Sequence, residues 1–365
     1  MSQDLYPIFA RSRFAPTISS EDRGNDVTGD VDPKTPVLPK DHYLHPTAAT
    51  EWWWNVGTLV TKDGRTFGFE INAASFQKFG FTQVMLTDVE TGTHLQSTVR
   101  YLSGEGGFDP LTWAQSDWRK DWSVSLGQVT MHAPQGDPTK QITVKAEMSD
   151  EATKKNVVFD LMLSQEGPPL LVWGKGYADL PDGKGTNYYY SLTRLQASGS
   201  IIIEGNEYEV EGVTWMDHEY GDFGTPGQQV KWVLQDIQLP GGVSITNQAF
   251  GPPSLDNPVT LSVATLMQEG ASRFVLSRTT PITNTETGLK PTWTSPVTGN
   301  TYFMAWKIEL FDLGKPPTTL VVSSLVAGQE FPVSGGPIYE GVAIAKGTFQ
   351  GEENVTGTAW NEQSL

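Results

Sequence analysis

The chain of 365 residues contains no cysteine, which excludes disulfide bonds, thiolate metal ligands and cysteine nucleophiles. It also lacks the run of about 18 apolar residues that a membrane-spanning helix needs. Residues 1–31 mix charges with prolines and contain no apolar core of a signal peptide. We therefore expect a cytoplasmic protein with no membrane span; a mature secreted form that carries a cloning methionine is the alternative.

Basic residues are scarce, with 25 Lys and Arg against 42 Asp and Glu, so the formal net charge is −17. Such a chain repels the phosphates of nucleic acids and of anionic membranes. The sequence contains no P-loop, no Gly-x-Ser-x-Gly elbow and no dinucleotide-binding glycine motif. We expect no nucleic-acid partner and no cofactor, and a hydrophobic small molecule as the substrate.

Short strand-like runs separated by turn residues dominate what is present. Residues 67–71 (FGFEI) alternate with period two, residues 201–203 are three isoleucines, and Asp63-Gly64 and Gly205-Asn206 are typical turn pairs. With 37 Gly and 24 Pro along the chain, long amphipathic helices have little room. The pattern predicts an all-β protein built of barrels or sandwiches.

A weak internal repeat suggests two halves. The motif Val-x-Gly-x-x-Trp ends at Trp215 and is found again ending at Trp360. We expect each copy to lie in the last strand of one β-domain. The predicted organisation is an N-terminal arm over residues 1–37, one domain over 38–226 and a second over 227–365.

The most informative segment is Trp-Met-Asp-His-Glu-Tyr-Gly at residues 215–221. On a strand, Asp217 and Glu219 would face one side, and His218 and Tyr220 the other. Two carboxylates at this spacing repel each other, so one of them should have a pKa above that of a free carboxylic acid. We predict a catalytic site on this strand, with either pair as the acid and base; a polar network that is only structural is the alternative.

Aromatic residues elsewhere are candidates for the walls of a binding site. Three successive tryptophans follow Glu51, and three successive tyrosines precede Ser191. Both runs could serve only as core packing. The predicted binding residues are Glu51, Trp53, Tyr189, Trp215 and Trp232.

Histidines raise the question of a metal. His42 and His45 are three residues apart, and His94 and His132 are the other two outside the motif. This spacing matches no known ligand signature, and Pro46 favours a loop over a helix that presents both rings. We expect no metal and interpret these histidines as structural loop residues.

Five segments in chain order now carry a family resemblance. They are residues 38–46 (LPKDHYLHP), 51–57 (EWWWNVG), 64–70 (GRTFGFE), 189–194 (YYSLTR) and 215–221 (WMDHEYG). Together they resemble the AttH/CrtC superfamily of lipocalin-like proteins. A fainter match follows at residues 337–341 and at the C-terminal Gly-x-x-Trp. The resemblance covers most of residues 38–221.

The resemblance implies two lipocalin-like β-domains in tandem, with ligands in or between them. Activities in the superfamily include carotenoid hydratases, the kievitone hydratase type and natural-product cyclases such as decalin-forming Diels–Alderases. Carotenoid hydratases have His-Asn-Trp at the position of residues 218–220, and this chain keeps only His218. The Tyr-x-Asp that follows in those enzymes has no equivalent at residues 245–247, so a carotenoid substrate is not supported.

The function that we expect is cofactor-free acid/base catalysis on a hydrophobic alkene or epoxide, of the hydratase or dehydratase type. A protonated carboxylic acid would start the reaction, and aromatic rings would stabilise the cation. One alternative is a cyclase or Diels–Alderase-type pericyclase that folds a polyene. The other is a lipocalin-like carrier without chemistry. We expect a monomer in each case.

Overall fold

The structure is a computed structural model that describes residues 32–76, 78–133, 136–179, 185–223, 231–251, 253–259, 261–311, 313, 316–333 and 336–365. Nearly all regular structure within these ranges is β-strand, with short 3-10 turns at Lys40–His42, Val172–Gly174 and Pro240–Gly242. Among these residues, no helix combines the length and the apolarity that crossing a membrane requires.

Twelve strands precede residue 222. They are β1 (Thr50–Thr61), β2 (Thr66–Phe76), β3 (Phe79–Asp88), β4 (Thr93–Leu102), β5 (Ser123–Leu126), β6 (Val129–His132), β7 (Gln141–Ser149), β8 (Asn156–Gln165), β9 (Leu170–Leu171), β10 (Tyr177–Asp179), β11 (Thr186–Ile203) and β12 (Asn206–Gly221).

Eleven strands follow in the described part of the remaining chain. They are β13 (Trp232–Leu239), β14 (Val243–Phe250), β15 (Leu261–Gln268), β16 (Ala271–Pro281), β17 (Thr292–Thr294), β18 (Thr301–Phe303), β19 (Ala305–Leu310), β20 (Thr318–Ser324), β21 (Glu330–Val333), β22 (Gly336–Phe349) and β23 (Glu352–Ser364).

The strands form two compact units. The N-terminal unit comprises Lys34–Pro169 and Asn187–Gly224; the C-terminal unit comprises Met1–Pro33, Leu170–Thr186 and Thr225–Leu365, as far as these are described. The predicted arm and the boundary at 226–227 lie mostly outside the described residues. The three predicted domain limits stay predictions.

The N-terminal unit is built on a strongly curved antiparallel sheet. Its strand order is β4-β3-β2-β1-β12-β11-β8-β7-β6-β5. The sheet folds over its own inner face, because Phe69 of β2 contacts Phe159 of β8, with ring centroids 6.3 Å apart. Alternate residues of each strand point into this interior. The apolar ones are buried there, and they exclude water from any polar group beside them.

The C-terminal unit contains a closed barrel. Its order is β20-β19-β16-β15-β14-β13-β23-β22, and β20 also pairs with β22, which closes the ring. The barrel interior holds a core of aliphatic side chains, among them Ile237, Leu266, Ile308, Leu320 and Val322. The predicted all-β class with two lipocalin-like β-domains in tandem is confirmed.

The predicted repeat corresponds to equivalent strands. The copy ending at Trp215 lies in β12, which pairs with β1, and the copy ending at Trp360 lies in β23, which pairs with β13. A Cβ added at Gly212 would overlap the carbonyl oxygen of Thr58, and one added at Gly357 would overlap that of Gln238. Glycine in the repeat therefore permits a close approach of the neighbouring strand.

Candidate active site in the N-terminal unit

Three neighbouring strands hold the residues that the sequence singled out. In the register of β1, β12 and β11, Trp53 pairs with His218 and His218 with Tyr190, while Trp54 pairs with Asp217 and Asp217 with Ser191. The side chains of the first set, which we call the inner row, face the interior of the curved sheet. Those of the second set, the outer row, face its outer surface. The predicted division of the motif between two faces is confirmed.

The inner row is a tightly packed set of rings. Trp53 stacks on His218 with centroids 4.7 Å apart, and Tyr190 meets the same imidazole edge-on at 5.3 Å. Trp53, Tyr190 and His218 are all fully buried. An imidazole in this position is kept away from water and needs hydrogen-bond partners within the protein.

Those partners form a continuous buried chain. His218 Nε2 lies 3.0 Å from Oε1 of Glu51, and its Nδ1 lies 3.0 Å from the hydroxyl of Tyr190. The same hydroxyl lies 2.6 Å from Nδ1 of His42. At the other end, Nδ1 of His45 lies 2.9 Å from Oε1 of Glu51. The chain therefore leads from the partly exposed His45 to the fully buried His42.

Burial and hydrogen bonding set the charges along the chain. Burial tends to raise the pKa of Glu51, but hydrogen bonds from His218 and His45 outweigh it and hold this pKa below its ordinary value. Burial lowers the pKa of His218, and it lowers the pKa of His42 far more. Burial also acts to lower the pKa of His45, but hydrogen bonds to Asp41 and Glu51 raise it to about 9. Near neutral pH, Glu51 is thus ionised, His45 is cationic, and His218 and His42 are neutral.

These charges and the hydrogen-bond network together determine which ring nitrogens carry a hydrogen and in which direction the hydroxyl of Tyr190 donates. Ionised Glu51 can only accept, so the N–H of neutral His218 is at Nε2, and its Nδ1 is an acceptor. Tyr190, whose pKa burial raises well above its ordinary value, has one proton to donate. It donates to His218 and accepts from Nδ1–H of His42. Nε2 of His42 is then left with a free lone pair, which makes it a base.

Tryptophans surround this end of the chain. The rings of His42 and Trp122 form a T-shaped contact with centroids 4.6 Å apart, and Trp53 contacts Trp113 at 5.3 Å and Trp122 at 5.6 Å. None of the three indole N–H groups, nor Nε2 of His42, has a hydrogen-bond partner among the described residues. A buried polar group left unbonded costs about 1–3 kcal/mol. We call His42, Trp53, Trp113 and Trp122 the tryptophan cluster.

Tyr220 supports the outer end of the chain. It stacks on His45 with centroids 3.7 Å apart and planes at 3°, and Tyr188 stacks on its other side at 4.8 Å. Burial raises the pKa of its hydroxyl above the ordinary value. Tyr220 therefore contributes packing that orients His45, instead of a titrating group.

The outer face holds the two carboxylates of the motif. Oδ1 of Asp217 accepts hydrogen bonds from Ser191 Oγ at 2.5 Å and from Trp215 Nε1 at 2.8 Å, and Tyr189 is a further partner. Burial raises the pKa of Asp217 to about 6, although these bonds oppose the rise. Burial is thus the largest cause of the raised pKa, where the sequence suggested repulsion by Glu219. Glu219 accepts from Asn187 Nδ2 at 2.5 Å.

The structure brings together Glu51, Trp53, His218 and Tyr220 of the predicted site residues. Asp217, Glu219, Tyr189 and Trp215 lie on the opposite face of the same strands. Trp232 belongs to the C-terminal unit, where its indole N–H bonds to Glu362.

Sequence reasoning missed His42, His45 and Tyr190. Both histidines do lie in a loop, as predicted, but their hydrogen bonds to Tyr190 and Glu51 make them more than structural loop residues. The proline-rich loop around residues 37–46 gave no periodic pattern that could show where these rings point. The only signal for the histidines was that two of the five lie close before Glu51, and the signal for Tyr190 was the run of three tyrosines before Ser191.

Three residues of the chain could also be considered as metal ligands. His45, Glu51 and His218 have ligand atoms within 4.8 Å of one another. However, both histidines contact the same oxygen of Glu51 at hydrogen-bond distance, and the raised pKa of His45 keeps this ring protonated near neutral pH. A metal ion would have to displace the proton of His45 in order to bind this set. The geometry favours hydrogen bonding at these three residues.

Comparison with solved structures shows the same fold in other proteins. The AttH protein of Nitrosomonas europaea matches with a TM-score of 0.72 at 22% identity, over 92% of this chain and 99% of that one. Kievitone hydratase from Nectria haematococca matches with a TM-score of 0.70 at 17% identity, over 91% and 93%. CghA in complex with Sch210972 matches with a TM-score of 0.54 at 12% identity, over 94% and 97%.

No protein with a curated function matches the sequence. A family model does match, and it covers nearly the whole chain: residues 30–362 fit the model described as AttH-like. Together with the curved sheet and the closed barrel, this match assigns the protein to the AttH-like family.

Proposed function

We propose that the protein is a cofactor-free tailoring enzyme that acts by acid/base catalysis on a hydrophobic natural product, adding water to an alkene or epoxide or removing it. The site of the reaction is the tryptophan cluster. The hydratase named among the similar folds agrees with this type of chemistry.

One observation carries the proposal: a chain of buried hydrogen bonds ends at a free imidazole nitrogen inside a set of tryptophans. The ionised Glu51 at the other end fixes the tautomer of each ring along the chain, because His218 donates to Glu51, Tyr190 donates to His218, and His42 donates to Tyr190. A buried histidine with only a structural role would be expected to have both ring nitrogens bonded, whereas Nε2 of His42 has no partner among the described residues. A catalytic base needs its tautomer fixed in this way.

In the proposed reaction, Nε2 of His42 takes the proton of the attacking oxygen and returns it to the alkene carbon. The O–H and the π bond break, one C–O and one C–H bond form, and no proton is gained or lost overall. Dehydration is the reverse. Trp122, whose ring lies 4.6 Å from that of His42, stabilises the imidazolium that His42 becomes while it holds the proton by about 0.5–2 kcal/mol. Glu51 and His218 are positioning residues that hold the tautomers.

Asp217 and Glu219 form the alternative catalytic pair. Asp217 has the raised pKa of about 6 that suits a proton donor. Its oxygen Oδ1 is already bonded to Ser191 and Trp215 within the sheet. We therefore give the catalytic role to the inner face and a structural role to Asp217.

Two other functions fit the same residues. If a hydroxyl of the substrate replaces water as the nucleophile, the same proton transfer closes a ring, and the enzyme is a cyclase. A pericyclase would use the tryptophans to fold a polyene and would not need the lone pair of His42. A carrier would use only the apolar surface.

Incubation with kievitone in D₂O tests the proposal, with EDTA present to exclude added metals. We expect a product heavier by one D₂O, with one deuterium bound to carbon. A cyclised product with carbon-bound deuterium would favour the cyclase, and a rearranged product without deuterium would favour the pericyclase. Kievitone that binds and is recovered unaltered would favour the carrier and contradict the proposal.

The variant His42→Gln tests the base. Its rate should fall by about 10²–10⁴-fold, the usual contribution of a general base, while the fold is kept. His132→Gln is the matched control, because His132 lies exposed on β6 and outside the chain. Equal rates for His42→Gln and the wild type would reject His42 as the base.

A further inference from the structure

Five unpartnered polar atoms of the N-terminal unit lie together at its inner face. Besides the four atoms of the tryptophan cluster, Oδ1 of Asn55 has no hydrogen-bond partner among the described residues. Each of these five residues is at most 2% exposed. Natural proteins leave few buried polar groups unsatisfied. Five in one small region leave hydrogen-bonding capacity for a bound molecule.

The five side chains are neighbours. His42 contacts Trp122 and Trp53, and Trp53 contacts Trp113, with ring centroids between 4.6 and 6.2 Å apart. Asn55 lies two residues beyond Trp53 on the same face of β1. Its amide nitrogen donates to the carbonyl of Ile71 at 3.2 Å and to Sδ of Met131 at 3.7 Å, so only its oxygen is free.

The donors and acceptors among these five atoms indicate which groups a ligand must carry to bind them. An indole N–H only donates, so three donors await acceptor atoms. Nε2 of His42 in the assigned tautomer and Oδ1 of Asn55 only accept, so two acceptors await a donor. The surrounding rings offer flat apolar surfaces. No cation lies among these five residues to pair with a carboxylate.

We infer that the tryptophan cluster binds a neutral, unsaturated compound that carries both a carbonyl group and a hydroxyl group. The carbonyl accepts from the indole N–H groups, and the hydroxyl donates to His42 or Asn55. This inference rests on the site in the proposed function and names its substrate class. The hydroxyl next to His42 is also the proton source for an intramolecular addition.

Three compounds of similar shape separate these contacts. 4-Hydroxychalcone has both groups, 4-methoxychalcone lacks the hydroxyl donor, and 4-hydroxystilbene lacks the carbonyl. Binding to the full-length protein is measured by calorimetry and by tryptophan fluorescence. We expect 4-hydroxychalcone to bind about tenfold more tightly than either of the others, the size expected for one buried hydrogen bond. Equal affinities of the three compounds, or no binding of any, would overturn the inference.

Variants assign each preference to its residue. At least one of His42→Phe and Asn55→Leu should abolish the preference for hydroxyl over methoxy and keep the preference for chalcone over stilbene. At least one of Trp53→Phe, Trp113→Phe and Trp122→Phe should do the opposite, because phenylalanine keeps the apolar ring and removes the N–H. Trp118→Phe is the control, since Trp118 is 52% exposed. Preferences that survive in every variant would contradict the assignment, provided that circular dichroism shows folded proteins.

The outcome is independent of turnover. Selective binding without any reaction would refute the proposed catalysis and keep the ligand class. Turnover of kievitone without selectivity among the three compounds would refute the ligand class and keep the catalysis.

Discussion

Adjacent residues of one strand have opposite roles because they face different surroundings. Asp217 and His218 are neighbours in sequence, yet Asp217 lies among Ser191 and Trp215 on the outer face, and His218 lies between Glu51 and Tyr190 on the inner face. Burial raises the pKa of the acid and lowers that of the base. In both cases burial favours the neutral form.

Asp217 should make stability depend on pH. Because its pKa rises from 3.8 to about 6 on folding, its contribution is fully present below pH 3.8 and is lost as the pH rises through 6. At about 1.4 kcal/mol per pKa unit, the loss is about 3 kcal/mol. The side chain of Asn in Asp217→Asn does not titrate. The free energy of unfolding of this variant, relative to that of the wild type, should therefore increase by up to about 3 kcal/mol between pH 4 and pH 7.

Urea unfolding at several pH values measures this difference. Asp160→Asn is the control, because Asp160 is exposed on β8 and its ion pair with Lys145 lies at the surface. Its free energy of unfolding should follow that of the wild type within about 1 kcal/mol at each pH. A gap between Asp217→Asn and the wild type that does not change with pH would contradict the raised pKa.

At the scale of strands, the sequence predicted which side chains share one face of a strand but not which residues of different strands lie close together. Period-two alternation places Trp53 and Glu51 on one face of β1, and His218 and Tyr220 on one face of β12, as the structure has them. The register that brings Glu51 to His218 joins residues 167 apart in sequence, and no local pattern encodes it. Long-range strand pairing depends on the whole fold.

The positions of loop residues were the second feature of the site that could not be predicted from the sequence. His42 enters the site from a 3-10 turn at Lys40–His42, whose backbone bonds are local. Such a segment has no hydrophobic period that reports which way a side chain points. The position of His42 in the site is set by its contacts with Tyr190 and Trp122, which lie far away in sequence.

The repeated glycines predict a stability effect in both units. Gly212→Ala and Gly357→Ala should each lower the free energy of unfolding by about 1–3 kcal/mol or more, because the new Cβ would overlap a carbonyl oxygen of the adjacent strand. Gly328→Ala is the control, since its Cβ would lie 3.4 Å from the nearest side-chain atom, that of Trp293. Thermal unfolding of the three variants gives the comparison. A loss no larger than that of Gly328→Ala would show that the strands can separate at little cost.

The charge of the whole molecule restricts the ligand as well as the partners. A formal net charge of −17 creates a negative potential around the protein at neutral pH. The potential disfavours an anionic ligand and leaves a neutral one unaffected. It acts over the Debye length, which falls from about 20 Å at about 20 mM salt to about 6 Å at about 300 mM.

Salt should therefore separate neutral from anionic ligands. Between these two salt concentrations, the Kd of 4-hydroxychalcone should stay within about twofold, while 4-carboxychalcone should bind more tightly by several-fold at the higher salt, because screening removes a long-range repulsion. Calorimetry at constant pH measures both values. The neutral compound serves as the control for effects of salt on the protein itself. If the carboxylate instead bound more tightly at low salt, a local positive group would dominate over the net charge, and the neutral ligand class would be wrong.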